Sequence, residues 1–221
     1  MRDSYREQLD DILADLVQMC QAVSAAVRSS TTALLEAEIH LAEQVITQDL
    51  KLDEMQADIE ARAFSLLARQ APVAGELRTL VATLRMVTEL ERMGDLAAHV
   101  AKIARLRYPD IAVPEALRLN FVRMGDVAEK MVVTAGQTLN NRNIESAQEL
   151  RARDEEMDEL RKSQFRVMLS HDWAYGVEAA VDVALLGRYY ERIADHAASM
   201  GRRIIYVVTG EFPEADIWPQ P

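Results

Sequence analysis

The chain has 221 residues, 49% hydrophobic and 28% charged, with a formal net charge of −11. That mixture excludes a disordered chain, and the acidity argues against a protein built to grip nucleic-acid backbones or anionic lipid. One cysteine, Cys20, rules out an internal disulfide and fits a reducing compartment. No apolar run approaches the roughly 18 residues needed to span a bilayer. The N-terminus lacks the apolar core of a signal peptide, so the expectation is a cytoplasmic protein.

Helical periodicity dominates, and Gly and Pro are scarce, at 8 and 6. Leu9, Ile12, Leu13, Leu16, Cys20, Val23 and Val27 line one face of a first helix. Ser29-Ser30-Thr31-Thr32 reads as a run of capping residues that separates it from a second. That second helix carries Leu34 through Leu67 and closes at Pro72. A third spans about Glu76 to Arg107, and Pro109 and Pro114 bracket a linker. A fourth runs from about Pro114 to Leu139, and Asn140-Asn141-Arg142-Asn143 turns the chain. A fifth reaches about Ser170, His171-Asp172-Trp173 forms a loop, and a sixth ends near Gly210. Such long helices bury their stripes best in antiparallel bundles. The expected fold is all-α, with six long helices in two three-helix halves, 1–108 and 114–210, and an irregular tail, 211–221.

The halves resemble each other. A shift of 100 lays Glu91, Arg92, Asp95, Ala97 and Ala98 on identical residues, Glu191, Arg192, Asp195, Ala197 and Ala198. A shift of 105 lays Asp49, Asp53 and Glu54 on Asp154, Asp158 and Glu159. The differing offset means a five-residue difference in the loop between those helices. An internal duplication accounts for this pattern.

Carboxylates four apart share a helix face and repel one another. A hard cation, which takes several oxygen ligands at once, reverses that sign. The chain has eleven such acidic pairs, where about six are expected by chance. Most are therefore solvated faces. Four are related by the repeat: Asp49/Asp53, Glu91/Asp95, Asp154/Asp158 and Glu191/Asp195. They are the candidate metal ligands. The alternative is a structural ion-pair network, for which Arg92 and Arg192 offer partners. His99, one turn beyond Asp95, is a candidate peripheral ligand. Cys20 and the scattered Met residues read as core.

Four segments then carry a resemblance. They are Gln70-Ala71-Pro72-Val73-Ala74-Gly75-Glu76-Leu77-Arg78, Glu89-Leu90-Glu91-Arg92-Met93-Gly94-Asp95, Arg153-Asp154-Glu155-Glu156-Met157-Asp158 and Tyr190-Glu191-Arg192-Ile193-Ala194-Asp195-His196. In this order, at duplicated positions, they resemble the PhoU family of phosphate-signalling regulators up to about Gly210. The resemblance implies two pseudo-symmetric three-helix bundles and a metal (iron, zinc, manganese or magnesium) on the carboxylate motifs. It implies a negative regulator of phosphate uptake and starvation signalling, non-catalytic and homodimeric. Its implied partners are the ATPase subunit of the phosphate importer and a sensor histidine kinase, which would hold it at the inner membrane. Asp53 stands where many members have Asn, and Gly75-Glu76 replaces a Ser-Asp pair, which puts the cap of the third helix in question.

Two other readings are a carboxylate-bridged di-metal redox enzyme and a plain helical scaffold. The first needs Glu-x-x-His, and no Glu lies three residues before His40, His99, His171 or His196.

Overall fold

The structure, a computed structural model, describes residues 2–70 and 72–213. Its six helices are α1 (Arg2–Glu36), α2 (Ile39–Gln70), α3 (Gly75–Arg107), α4 (Arg118–Asn141), α5 (Ile144–Met168) and α6 (Gly176–Thr209), with one 3-10 turn, Glu115–Leu117, before α4. No strand occurs among the described residues. Helices α1, α2 and α3 form one three-helix bundle, and α4, α5 and α6 form the other. The bundles meet through α1 against α4 and α3 against α6, while α2 and α5 lie outside. Apolar residues from both halves join in one continuous core.

Local chemistry sets most helix ends. Asn143 Oδ1 accepts from the amides of Glu145 (2.8 Å) and Ser146 (3.4 Å), which caps α5. Gly210, at φ 84°, ends α6 and returns its amide to Tyr206 O. Helix α3 starts without a side-chain cap, because Ala74 precedes it at φ 48° and has no oxygen to offer.

Two expectations are corrected. Ser29–Thr32 do not break the first helix; α1 runs through them to Glu36, and the turn falls at Ala37, at φ 54°. Their hydroxyls turn back along the helix instead of capping a new one. Ser30 and Thr31 donate to Val27 O, and Thr32 donates to Arg28 O. Thr31 Oγ1 also lies 2.8 Å from Tyr190 Oη of α6, in the core between the halves. Opposite it, α4 carries Gly125, where a Cβ would come within 2.8 Å of Thr31 Oγ1. The second correction concerns the five-residue offset. It is taken up by the helices, since α2 has 32 residues and α5 has 25, and the loop after α5 is the longer one.

The α3–α6 contact shows the pseudo-symmetry directly. Glu89 meets Ser199, and at the equivalent positions Tyr189 meets His99, with ring centroids 5.4 Å apart. Glu89 ties the two halves together. It accepts from His196 Nδ1 (2.7 Å), Ser199 Oγ (2.9 Å) and Arg203 (3.1 Å), all on α6. Burial alone would raise its pKa, but these donors outweigh burial and hold it at about 2. A carboxylate depressed in the folded state stabilises the fold above its unfolded pKa and loses that contribution as pH falls. Wild type should therefore exceed Glu89→Gln in stability by about 1–2 kcal/mol near pH 7, solvent screening of the partly exposed carboxylate included. The gap should shrink as pH falls below about 4.5, toward 2. Chemical denaturation of both proteins across that range measures it.

Candidate functional site

The α2–α3 contact brings the first set of carboxylates together. Asp49 and Asp53 lie one turn apart on α2, and Glu91 and Asp95 one turn apart on α3. Gly94 makes the approach possible, because a Cβ there would overlap Leu52 and stand 3.6 Å from Asp49 Oδ1. Two of the four are shifted by burial and by their acidic neighbours. Burial, then Asp95 and Asp53, raise the pKa of Asp49. Burial, then Asp95, Asp53 and Asp49, raise that of Glu91, with Arg92 opposing. All four candidate residues of the first half thus share one surface.

The α5–α6 contact does the same for Asp154, Asp158 and Asp195. The burial pattern along α5 around Asp154 closely follows that along α2 around Asp49. Asp154 is only 9% exposed, and its pKa is raised to about 7 by burial, then by Asp195 and Asp158. Asp195 is also raised, by burial first, against the pull of Arg188, His196 and Arg192. Glu191 departs from its counterpart. It is bridged by Arg161 of α5 and by Arg188 (2.6 Å) of its own helix. The equivalent first-half positions hold Gln56 and Thr88. Gln56 donates instead to Glu60, and Thr88 to Leu84 O. Glu91 therefore has no ion-pair bridge among the described residues.

The arginines of the Glu-Arg-x-x-Asp signature are not the bridging ones. Arg192 lies 3.5 Å from His196 Nε2. The sequence reading missed Arg161 and Arg188. Their signal was a cationic pair in one repeat facing neutral residues in the other. Of the two histidines near these rows, His99 has its Nδ1 2.7 Å from Asp95 O, and His196 turns to Glu89.

The donor set is all oxygen, which suits hard cations such as magnesium and manganese or carboxylate-bound iron. In the conformations present, no three His, Cys, Asp or Glu side chains among the described residues close around a single point. The chemistry fits a cation, and binding one would require these carboxylates to draw together.

The sequence profile of the PhoU domain matches residues 16–104 and 121–204, one copy in each half. The chain belongs to the PhoU family. It is 46% identical over 219 residues to a phosphate-specific transport system accessory protein, PhoU homolog 1, of Mycobacterium leprae, covering 99% of each chain. It is also 46% identical to PhoU homolog 2 of Mycobacterium tuberculosis, over 96% of this chain and all of that one. The crystal structure of PhoU from Pseudomonas aeruginosa superposes with a TM-score of 0.88 at 26% identity, covering 94% of this chain and 100% of that one. PhoU from Streptococcus pneumoniae shares the fold, with a TM-score of 0.85 at 22% identity over 95% of this chain and 99% of that one. No described helix is long and apolar enough to cross a membrane.

Asp154 yields a pH prediction. A carboxylate raised in the folded state costs stability as pH climbs from about 3.8, and the full cost is present above about 7. Asp154→Asn should therefore melt higher than wild type at pH 8 in the presence of a chelator. The advantage should shrink as pH falls below about 7 and vanish only near 3.8, as read by thermal unfolding.

Proposed function

We propose that this PhoU-family protein is a non-catalytic regulator that restrains phosphate uptake and the phosphate-starvation response. It does so by binding, as an adaptor between the ATPase subunit of a phosphate importer and a sensor histidine kinase. The supporting observation is near full-length similarity to accessory proteins of phosphate transport, together with a duplicated pair of repelling carboxylate rows. A regulator of importer and kinase needs surfaces more than a reaction chamber. Each half presents apolar residues to solvent at equivalent positions, Leu77 and Val81 on α3 and Val177 and Val181 on α6. In this reading the protein acts at the inner membrane only through its partners, and it works as a homodimer.

The carboxylates hold a divalent or trivalent metal cation in this reading: Asp49, Asp53, Glu91 and Asp95 in the first half, and Asp154, Asp158, Glu191 and Asp195 in the second. The cation supplies positive charge that cancels the repulsion among the acids and fastens α2 to α3 and α5 to α6. The halves are not equal toward it. The first set has four acids and no arginine bridge, whereas Arg161 and Arg188 already engage Glu191 in the second. The first is then the less competed site, and the second binds through Asp154, Asp158 and Asp195 unless the arginines give way.

Adding manganese, iron or zinc to chelator-treated protein should raise its melting temperature. Glu91→Ala with Asp95→Ala should remove the larger part of that rise. An unchanged melting curve with every metal rejects the cation reading. For the regulatory reading, the protein is deleted from its host, along with any paralogue. Phosphate uptake and starvation-gene expression should then stay high in phosphate-rich medium, and continued repression rejects it.

A further inference from the structure

A cavity of about 500 Å³ opens at one end of the molecule. Its walls come from the start of α1, the start of α3, the turn after α4 and the end of α6, so both halves contribute. None of the eight candidate metal ligands lines it. Its volume falls in the range of small-molecule sites, roughly 300–1,000 Å³.

Four charged side chains line it: Arg6 and Asp10 of α1, Glu76 of α3, and Arg142 of the turn. None of them makes an ion pair among the described residues. Charges elsewhere between helices behave differently. Arg28 bridges to Glu129, Arg62 to Asp15, Arg107 to Asp182 and Arg123 to Glu156. Here two positive and two negative groups share one cavity and leave each other unbridged. Arg142 sits at φ 53°, in the left-handed region that Gly or Asn adopts most easily at a helix end. Asparagine stands on both sides of it, at Asn141 and Asn143. The backbone gives no reason for an arginine there, whereas the cavity does. Behind Glu76, the buried Tyr5 has a hydroxyl with no hydrogen-bond partner among the described residues.

Between the charges the wall is apolar, formed by Leu9, Val207 and Val208. Thr79, Arg142, Val207 and Val208 also border a recess that reaches inward to Leu13, Met86 and Ile204. The recess holds about 20 Å³, room for a methyl-sized group. An inorganic anion suits the two arginines but is repelled by Asp10 and Glu76, and a bare cation meets the reverse. A ligand that carries both charges and a branched apolar end satisfies every wall.

We propose that this cavity binds a zwitterionic amino acid with a branched aliphatic side chain, of the leucine class. Arg6 and Arg142 take its carboxylate, and Asp10 and Glu76 take its ammonium group. The side chain lies over Leu9, Val207 and Val208 and points a methyl toward the recess. Bound there, the ligand ties the starts of α1 and α3 to the end of α6 and so joins the two halves. The inference does not depend on the cation reading.

The test uses the full-length protein near neutral pH, with L-leucine as the probe, followed by NMR titration and thermal unfolding. L-Leucine should bind and raise the melting temperature. Isocaproate, which lacks the ammonium group, and isoamylamine, which lacks the carboxylate, should each bind at least about tenfold more weakly. Arg142→Asn keeps a residue that tolerates the left-handed conformation, and Asp10→Asn changes an exposed position. Either should weaken leucine binding about tenfold and leave ligand-free melting nearly unchanged. Should either variant melt lower without ligand, the comparison of leucine with its two analogues on the wild type decides. No binding at millimolar leucine overturns the proposal. So does binding that neither substitution weakens, or isocaproate binding as tightly as leucine. Inorganic phosphate binding in place of leucine overturns it too, since the cavity would then be an anion site.

Discussion

Helices α3 and α6 lie side by side across the pseudo-twofold axis, and the rest of the molecule is arranged around that contact. Each is buried along one flank by its own bundle and along another by the opposite half. The residues in between must therefore be small or internally satisfied. Ala97, Ala98, Ala194, Ala197 and Ala198 of these two helices are all buried. Glu89 meets the second demand by collecting three donors from the opposite helix, so that a partly buried charge becomes a tie between halves. With this axis in place, α2 and α5 can only pack outside it. That position is what sets their acidic faces against the outer rows of α3 and α6.

The duplication also shows what has diverged since. The burial rhythm of residues 81–90 recurs almost unchanged at 181–190, so the scaffold is the same twice. The electrostatics are not. Gln56 and Thr88 leave Glu91 without an ion-pair bridge among the described residues, whereas Arg161 and Arg188 engage Glu191. The frustration in the second half has moved to Asp154, which is buried deeply enough to be pushed up to about 7. In the first half burial and repulsion raise Asp49 and Glu91, whereas in the second they raise Asp195 and push the buried Asp154 furthest.

Much of this was legible in the sequence. Helical phase, the bundle count and the four repeated carboxylate pairs follow from spacing alone, because a residue's face on a long helix is set by its number. What escaped depends on contacts between elements. Ser29–Thr32 have the composition of a cap, yet Thr31 finds Tyr190 of α6 across the core, 159 residues away. No local pattern contains that partner. Arg92 and Arg192 stood beside the glutamates in sequence and looked like their counterions. Successive residues on a helix point apart, however, and the bridging cations came from one turn away and from the facing helix.

The persistence of α1 through Ser29–Thr32 has a mechanical side. A helix of 35 residues is a rod of about 50 Å. This rod lies against α2 and α3 on one side and α4 on the other. A hinge at Ser29–Thr32 would let the two halves pivot independently. An unbroken rod removes that freedom, so a tilt imposed at one end of α1 is carried to its other end. Whatever fastens α2 to α3 in the first half is thereby felt as leverage on α4, the first helix of the second.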